Sequence, residues 1–213
     1  MARHSRADTT DPPGGLAIGM LIYARFFKRP LDGLGSLFML LLLGPVLLLL
    51  ALVVRFDTPG PAIFSQMRLG EHGRVFKLFK FRTMTHGRRT VIGEIYDGDH
   101  PEITRSGGWM RRFKLDELPQ LWNVLIGDMS LVGPRPCLPE QERSFNEDGR
   151  ARLRVRPGMT GLAQVSGNIF IPWAERWRLD RQYVENLTLA MDLRILTRTV
   201  VVLMQGERQA GSK

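Results

Sequence analysis

The stretch LGSLFMLLLLGPVLLLLALVV, residues 34–54, decides the fold because it carries no charged side chain. About 20 apolar residues suffice to cross a bilayer as an α-helix. Helices of soluble proteins rarely stay apolar on every face for this length, so a buried core helix is the less favoured alternative. A cleavable signal peptide does not fit: the run is too long, begins too far in, and is followed by Arg55 and DTPGP. The sequence therefore predicts a membrane segment.

Two features of this segment favour a hairpin over a simple span. Gly44 and Pro45 lie at its middle, and proline removes a backbone hydrogen bond and clashes with the preceding turn, so we expect a kink there. Basic flanks prefer the cytoplasmic side, and they occur at both ends: Arg25, Lys28 and Arg29 before, Arg55, Arg68 and Arg74 after. A re-entrant helix-break-helix satisfies both observations, and a kinked single span is the alternative that the residues leave open.

The whole chain of 213 residues is long enough for one domain and an appendage. Its formal net charge of +9 indicates a polyanionic partner: nucleic acid, an anionic membrane surface or a phosphate-bearing substrate. The single cysteine, Cys137, excludes an intrachain disulfide. We expect a disordered tail at 1–15, an interfacial lead-in and membrane hairpin at 16–56, a soluble domain at 57–205 and a second tail at 206–213.

The soluble domain is predicted to be α+β and mainly helical. Short strands are expected at Ala62–Arg68 and Arg74–Met84 around a glycine-rich turn. Side chains alternate along a strand, so Lys80 and Arg82 share a face. That pair either clamps phosphate oxygens or protects a solvated strand edge from aggregation. Helical spacing is found at 108–113, 115–126, 173–189 and 191–205, and an irregular loop is expected at 85–104.

Two adjacent acids in RRFKLDELPQLWN, residues 111–123, are the candidate chemical groups. Pro119 fits a helix only in its first turn, which places Asp116 and Glu117 at a helix N-terminus, where the dipole favours ionised carboxylates. Such acids are usually only favourable helix-start residues. They also suit Mg²⁺ binding, or covalent attack by Asp on phosphorus. The histidines lack metal-ligand spacing, and no phosphate-binding GxxxxGK[ST] loop is present.

Four motifs taken together resemble one family. They are KRPLDGLGSLFMLLLLGP at 28–45, TPGPAIFSQMRLGEHGRVFKLFKFRTM at 58–84, FKLDELPQLWNVLIGDMSLVGPRP at 113–136 and RPGMTGLAQVSG at 156–167. In this order they resemble the bacterial monotopic phosphoglycosyl transferases, also called bacterial sugar transferases, over roughly residues 26–200. Two departures are Gly44 where relatives often have serine before the proline, and Pro101-Glu102 where an arginine is usual nearby.

The resemblance implies a fold and an activity. Members have a re-entrant membrane helix and a cytoplasmic catalytic domain with short strands and amphipathic interfacial helices. They move a sugar-1-phosphate from a UDP-sugar to polyprenol phosphate, in bacteria undecaprenyl phosphate, at the cytoplasmic face of the inner membrane. UMP is released, and the product enters glycoconjugate, lipopolysaccharide or exopolysaccharide synthesis. Which sugar is moved is not indicated by any residue.

The resemblance also implies residue roles. Asp116 is expected to be the nucleophile that forms an aspartyl-phosphosugar intermediate, and Glu117 its partner in metal binding or acceptor deprotonation. Mg²⁺ is the expected cofactor, held by Asp116 and Glu117. Phosphate binding is expected of four cations: Lys80, Arg82, Arg111 and Arg135.

The expected partners are the two substrates and membrane lipid, with no nucleic acid. A homodimer is compatible with the sequence, although no interface can be argued from it. Two other functions are less favoured. One is a Mg²⁺-dependent membrane phosphohydrolase with water as acceptor. The other is a membrane-tethered nucleic-acid binder, which would lack the stacking aromatics usual among basic patches.

Overall fold

A computed structural model describes residues 19–85 and 102–205, and the predictions for the tails at 1–15 and 206–213 and for most of the loop at 85–104 lie outside them. The α-helices are α1 Lys28–Asp57, α2 Arg105–Arg112, α3 Gln120–Ile126, α4 Glu147–Ala151, α5 Leu162–Val165, α6 Trp173–Glu185 and α7 Leu189–Gln205. The strands are β1 Ile63–Leu69, β2 Val75–Phe81, β3 Ser130–Val132 and β4 Gly158–Thr160. The described part is mainly helical, as predicted.

The apolar stretch forms one long helix. α1 is preceded by the π-helical turn Tyr23–Phe27, and the helical segment Gly19–Asp57 is long and apolar enough to cross a membrane by length and composition. Most of its leucines are exposed to the surroundings of the protein rather than buried in it.

The predicted break at Gly44–Pro45 is not observed, because α1 continues through Pro45. A proline removes its own N–H from the helical hydrogen bonds and crowds the carbonyl of the preceding turn, but the other residues of α1 keep their helical assignment on both sides of it. The structure therefore shows one uninterrupted helical segment in place of two helices separated by a break, and the kink at Pro45 stays a prediction. The re-entrant path through a membrane stays a prediction.

The first turns of α1 are fastened to the soluble domain by buried charges. Lys28 Nζ lies 2.6 Å from Asp192 Oδ2 on α7, and Ser130 Oγ donates to Asp32 Oδ2 at 2.6 Å. Arg29 donates to two carbonyls at the end of α3. The last turns pack differently, through a cluster in which Leu50 and Val54 join apolar residues of β2 and α2. Both ends of the long helix thus contact the domain that carries the acidic pair.

β1 and β2 form the predicted antiparallel hairpin, with Ile63 opposite Phe81 and Leu69 opposite Val75. The turn between them needs a left-handed conformation at Gly73, whose φ is 73°. β2 ends at Phe81 instead of continuing to Met84, because the side chain of the next residue turns inward to the end of α1.

β3 and β4 pair in parallel, with Ser130 opposite Gly158 and Val132 opposite Thr160. The sequence did not predict them, because three-residue strands in glycine- and proline-rich segments show no periodicity. Their ends approach closely at two glycines: a Cβ on Gly133 would lie 2.5 Å from the Arg156 carbonyl oxygen, and one on Gly158 would meet the Gly133 nitrogen.

The predicted helix 115–126 is split in two. Leu115–Glu117 is a 3₁₀ turn, Pro119 caps α3, and α3 begins at Gln120. Since the proline ring prevents the helical hydrogen bond to the preceding turn, the acids belong to a separate turn ahead of α3. The predicted helices at 108–113, 173–189 and 191–205 are confirmed, with bounds shifted by a few residues.

Candidate active site

The acidic pair lies in a turn whose shape depends on Lys114. This residue adopts a left-handed backbone conformation, with φ of 56°, which is uncommon for residues other than glycine. It turns the chain from α2 into Leu115–Glu117. Asp116 is directed inward and is 7% exposed, whereas Glu117 is only partly buried. Because one 3₁₀ turn has little dipole, cationic side chains take over the stabilising role that the sequence assigned to a helix N-terminus.

Asp116 combines burial with cationic surroundings. Burial raises the pKa of its carboxyl group above the ordinary value, and the charge of Glu117 raises it further. The positive charges of Lys80, Arg111 and Lys114 oppose that rise. Within the residues that the structure describes, no group donates a hydrogen bond to the Asp116 carboxylate. Three cations thus act on a carboxylate that no described residue engages as a donor, an environment that suits a nucleophile or a metal ligand.

Glu117 has a different environment from its neighbour. Arg135 donates from Nη2 to Glu117 Oε1 at 2.6 Å and from Nη1 to Oε2 at 3.4 Å. Burial raises the pKa of Glu117, but the charge and hydrogen bonds of Arg135, with help from Lys114 and Lys80, bring it below the ordinary value. Glu117 is thus held ionised by a bidentate guanidinium pair. The two adjacent acids have pKa values displaced in opposite directions, a pattern typical of functional carboxylate pairs.

The turn that carries Arg135 is held through its carbonyl groups. Each carbonyl from residue 134 to residue 137 accepts a hydrogen bond. Gly158 N donates to the Pro134 carbonyl at 2.9 Å, and Arg152 Nη2 donates to the Arg135 carbonyl at 2.6 Å. Arg68 Nη1 donates to the Pro136 carbonyl at 3.3 Å, and Leu69 N donates to the Cys137 carbonyl at 2.9 Å. These donors come from three places in the chain: the neighbouring residues Arg68 and Leu69, Arg152, and Gly158. A turn with all its carbonyls engaged cannot shift easily, so the direction in which Arg135 leaves it is set by the surrounding fold.

Arg152 is itself held by a buried ion pair. Its Nη2 lies 3.2 Å from Asp180 Oδ2, and both side chains are almost fully buried. Burial raises the pKa of Asp180 to about 6, although the charges of Arg152 and Arg176 oppose the rise. Arg152 also lies over the Phe145 ring, 5.7 Å from its centroid. These contacts connect α6 to the Arg135 turn through one side chain.

Lys80 is a cation without a carboxylate at salt-bridge distance among the described residues. Its ammonium lies 5.4 Å from the centroid of the Phe64 ring. Burial lowers its pKa to about 8, with Asp116 opposing the change and the charges of Arg111 and Arg68 adding to it. A desolvated lysine beside two arginines gains from any anion that enters, so Lys80 fits the predicted phosphate-binding role.

Arg111 lies at the edge of the same group. Its Nε donates to Thr83 Oγ1 at 2.9 Å, which orients the guanidinium. Its charge acts on both Asp116 and Lys80. The structure therefore brings Lys80, Arg111 and Arg135 together around the acidic pair, as the sequence analysis expected.

Arg82 is placed elsewhere. It is 3% exposed, and its guanidinium donates to three carbonyls at the end of α1: Pro59 at 2.6 Å, Thr58 at 2.7 Å and Val54 at 3.3 Å. Strand alternation placed Arg82 beside Lys80, but the chain leaves β2 before Arg82, and the side chain turns to satisfy helix-end carbonyls instead. In this structure Arg82 joins α1 to the domain and does not reach the acidic pair.

Arg68 is a member of the cationic group that the sequence analysis counted only as a flanking charge. Burial lowers its pKa to about 10, and the charge of Arg135 lowers it further, while Glu117 and others oppose the change. It also donates to Gln66 Oε1 at 2.7 Å and to the Pro136 carbonyl. The membership of Arg68 in this cationic group becomes visible only in the fold, where β1 lies beside the Arg135 turn. Nothing in the local sequence relates Arg68 to Asp116.

The carboxylates fit a magnesium ion that binds together with substrate. Mg²⁺ is commonly held by one or two carboxylates plus substrate phosphates, with waters completing its shell. Asp116 and Glu117 supply two carboxylates, and that of Asp116 takes no hydrogen bond from the described residues. Residues 19–85 and 102–205 contain no group of three or more His, Cys, Asp or Glu side chains able to hold a metal. A metal here would need phosphate oxygens as further ligands.

Comparisons with a family model and with individual known proteins point to the same protein family. The model of the family "Bacterial sugar transferase" matches residues 23–206. The uncharacterized sugar transferase EpsL of Bacillus subtilis is 41% identical over 184 residues, covering 85% of this chain and 90% of that protein. The undecaprenyl-phosphate galactose phosphotransferase of Salmonella typhimurium is 39% identical over 197 residues, covering 85% of this chain and 41% of that protein.

A third relative, the undecaprenyl-phosphate glucose phosphotransferase of Komagataeibacter xylinus, is 39% identical over 185 residues, 81% of this chain and 35% of that protein. This chain therefore spans well under half the length of the two phosphotransferases. It spans most of the length of the Bacillus protein. Matched over nearly all of its described residues, the chain belongs to the bacterial sugar transferase family and is an enzyme of the phosphoglycosyl transferase class, as its sequence predicts.

Proposed function

We propose that this protein transfers a sugar-1-phosphate from a UDP-sugar to undecaprenyl phosphate at the cytoplasmic face of the bacterial inner membrane, through a covalent intermediate on Asp116. The observation that carries the proposal is the environment of that carboxylate: it is buried, accepts no hydrogen bond from the described residues, and lies among the charges of Lys80, Arg111 and Lys114. Two of the three named relatives, those of Salmonella typhimurium and Komagataeibacter xylinus, are undecaprenyl-phosphate sugar phosphotransferases by name.

The first half of the reaction would use Asp116 as nucleophile. A carboxylate oxygen attacks the phosphorus that bears the sugar, and the bond from that phosphorus to the bridging oxygen breaks. UMP leaves with the bridging oxygen, and the sugar phosphate remains on Asp116 as an acyl phosphate. Lys80 and Arg111 are placed to offset the negative charge of the diphosphate, since their charges already act on Asp116.

The second half would regenerate the enzyme. A phosphate oxygen of undecaprenyl phosphate attacks the same phosphorus, and the bond from phosphorus to the Asp116 oxygen breaks. The products are undecaprenyl diphosphate sugar and the free carboxylate. Glu117, held ionised by Arg135, is placed to assist as a metal ligand or by accepting a proton from the acceptor. Mg²⁺, when bound with the substrate, would neutralise diphosphate charge and aid the departure of UMP.

The long apolar helix supports a membrane location for this chemistry. The acceptor phosphate lies at the membrane surface because its isoprenoid chain is dissolved in lipid. α1 contacts the domain at both of its ends, so a membrane-embedded α1 would hold Asp116 at a constant distance from that surface. Such fixed geometry replaces a diffusional search with positioning. Entry and exit of α1 by the same membrane face belong to this proposal.

The experiment that tests the function measures UMP release from a panel of UDP-sugars, with and without undecaprenyl phosphate in detergent. Acceptor-dependent release of UMP, with a sugar that appears as undecaprenyl diphosphate sugar, is the expected result. Release of free sugar phosphate that is independent of the acceptor would overturn transfer in favour of hydrolysis. Trapping the intermediate with a labelled UDP-sugar in the absence of acceptor, followed by peptide mapping, should place the label on Asp116.

A further inference from the structure

A cleft opens beside the acidic pair and is lined by two chemically different sets of residues. One set is ionic and includes Arg112, Lys114, Glu117 and Arg135. The other, called the apolar set here, comes from β4, α5, α7 and Asn168, and it combines four polar residues with the apolar residues Met159, Val165, Val202 and Leu203. The nucleophile Asp116 is adjacent in sequence to the lining residue Glu117.

We propose that this cleft is the subsite for the lipid acceptor, with the phosphate of a polyprenol phosphate at the ionic set and its first isoprene units against the apolar set. The inference rests on the proposed function and adds to it where the acceptor binds. Three cations against one acid give the ionic set a net positive charge, which complements a phosphate. The apolar set complements an isoprenoid chain, which carries no hydrogen-bonding group.

The polar residues of the apolar set are Thr160, Gln164, Asn168 and Thr199. Thr160 and Thr199 share a hydrogen bond of 2.7 Å, which joins β4 to α7. Gln164 donates from Nε2 to the Met159 carbonyl at 2.9 Å, whereas its buried Oε1 has no hydrogen-bond partner among the described residues. The two hydroxyls and the amide nitrogen are therefore engaged within the protein, and the apolar members of the set are the part of its lining that complements an isoprenoid chain.

The outer surface of α7 supports the same occupant. Its last turns expose a run of apolar side chains: Val200, Val201, Leu203 and Met204. Leu203 belongs both to this exposed run and to the cleft lining. An isoprenoid chain that leaves the cleft would therefore pass from one apolar surface to another. A soluble nucleotide would gain nothing from that continuity.

Leu203 and Val201 make a matched pair for a test. Both are 46% exposed and they lie two positions apart on α7, but only Leu203 lines the cleft. Leu203→Trp should fill part of the cleft, and Val201→Trp should not. Two measurements separate the substrates. Exchange of labelled UMP into UDP-sugar without acceptor reports the donor half-reaction, and the KM for undecaprenyl phosphate reports the acceptor.

The expected result is that Leu203→Trp raises the acceptor KM about tenfold, the loss that follows from one displaced apolar contact surface. UMP exchange should stay within about twofold of the wild type. Val201→Trp should alter neither. A rise in the KM for UDP-sugar with unchanged acceptor KM would overturn the proposal and assign the cleft to the nucleotide. Unchanged constants in both variants would overturn it as well.

If Leu203→Trp lowers both UMP exchange and transfer to the acceptor, the kinetics cannot assign the cleft, and a crosslinking experiment makes the assignment. A photoreactive isoprenoid phosphate should label wild-type peptides from α7 and the β4–α5 segment, and excess undecaprenyl phosphate should suppress the label. Labelling confined to other segments would contradict the subsite. If the wild type shows neither UMP exchange nor acceptor-dependent UMP release, the proposed function itself fails, and the crosslinking result remains interpretable as lipid-phosphate binding alone.

Discussion

Arg135 and Glu117 form a two-point ion pair across the site, with Nη2 to Oε1 at 2.6 Å and Nη1 to Oε2 at 3.4 Å. The ion pair gives the two neighbouring carboxyl groups, Asp116 and Glu117, different pKa values. Glu117 is kept ionised by its partner, while burial raises the pKa of Asp116, which has only longer-range charge to oppose it. The same arginine connects the acids to a turn whose carbonyls are all engaged. Arg135 therefore both pairs with a carboxylate of the site and is held in place by a hydrogen-bonded backbone turn.

Asp116→Asn should abolish transfer. An amide keeps the shape of the side chain but is a poor nucleophile and a weak ligand for Mg²⁺, so we expect kcat to fall at least about 10³-fold. UMP exchange without acceptor should be lost to the same extent. The variant must be checked by mass spectrometry for hydrolysis back to aspartate. Retention of most of the exchange activity would show that Asp116 is not the covalent group.

Arg135→Ala should lower turnover while leaving the fold nearly intact. The side chain is 47% exposed, and exposed ion pairs contribute at most about 1 kcal/mol to stability. Loss of an oriented cation beside the reacting phosphate typically costs about 10²–10³-fold in kcat. Arg135→Lys should recover only part of the rate, because lysine keeps the charge but not the bidentate geometry.

A matched control for Arg135 exists on α6. Arg178 pairs with Glu175 at the same 2.6 Å distance and is also exposed, yet it belongs to neither the acidic pair nor the cleft. Arg178→Ala should therefore leave kcat unchanged and shift Tm as little as Arg135→Ala does. Equal rates in the two alanine variants would return Arg135 to a purely structural role.

The pKa of Lys80 predicts how kcat/KM depends on pH. Its pKa is lowered to about 8, so it is protonated below that pH and loses its charge as the pH rises through it. We expect kcat/KM for the UDP-sugar, which reports the free enzyme, to fall above pH 8. Lys80→Arg should move this descending limb out of the accessible range, because arginine stays charged. An identical limb in the Lys80→Arg variant would show that another group titrates there.

The parts of the site that the sequence predicted are those encoded locally. Asp116, Glu117 and Lys80 could be proposed from neighbouring residues and motifs, and the structure brings them together. Arg68 and Arg152 could not, because each reaches the Arg135 turn through strand pairing or helix packing that joins distant segments. Composition indicated the long apolar helix, whereas no local pattern reveals that the helix continues through Pro45.

Arg82→Met distinguishes a structural arginine from a phosphate ligand. Its removal takes a donor from the carbonyls of Thr58, Pro59 and Val54, of which, within the described residues, only Val54 also accepts from the Thr58 amide, at 3.4 Å. Each buried group left unsatisfied costs about 1–3 kcal/mol. We expect a clear fall in Tm. The fraction that remains folded should bind UDP-sugar with a KM within about twofold of the wild type. A large rise in KM at unchanged Tm would restore the phosphate-binding role.

Arg152 and Asp180 allow stability and positioning to be separated. Arg152→Met leaves Asp180 buried without its partner, and breaking a buried ion pair in this way costs about 3–5 kcal/mol. Adding Asp180→Leu removes the stranded carboxyl group, and apolar replacement of both partners is often neutral for stability. We therefore expect the single variant to lose Tm strongly and the double variant to recover most of it.

Activity should not recover in parallel, because the double variant still lacks the guanidinium that donates to the Arg135 carbonyl at 2.6 Å. We expect its Tm to approach that of the wild type while kcat remains lowered, about tenfold, since a small displacement of a catalytic side chain has effects of that order or larger. Thermal unfolding and steady-state kinetics on the same preparations make the comparison. Recovery of kcat together with Tm would mean that Arg152 contributes to folding only and that the Arg135 turn positions itself without it.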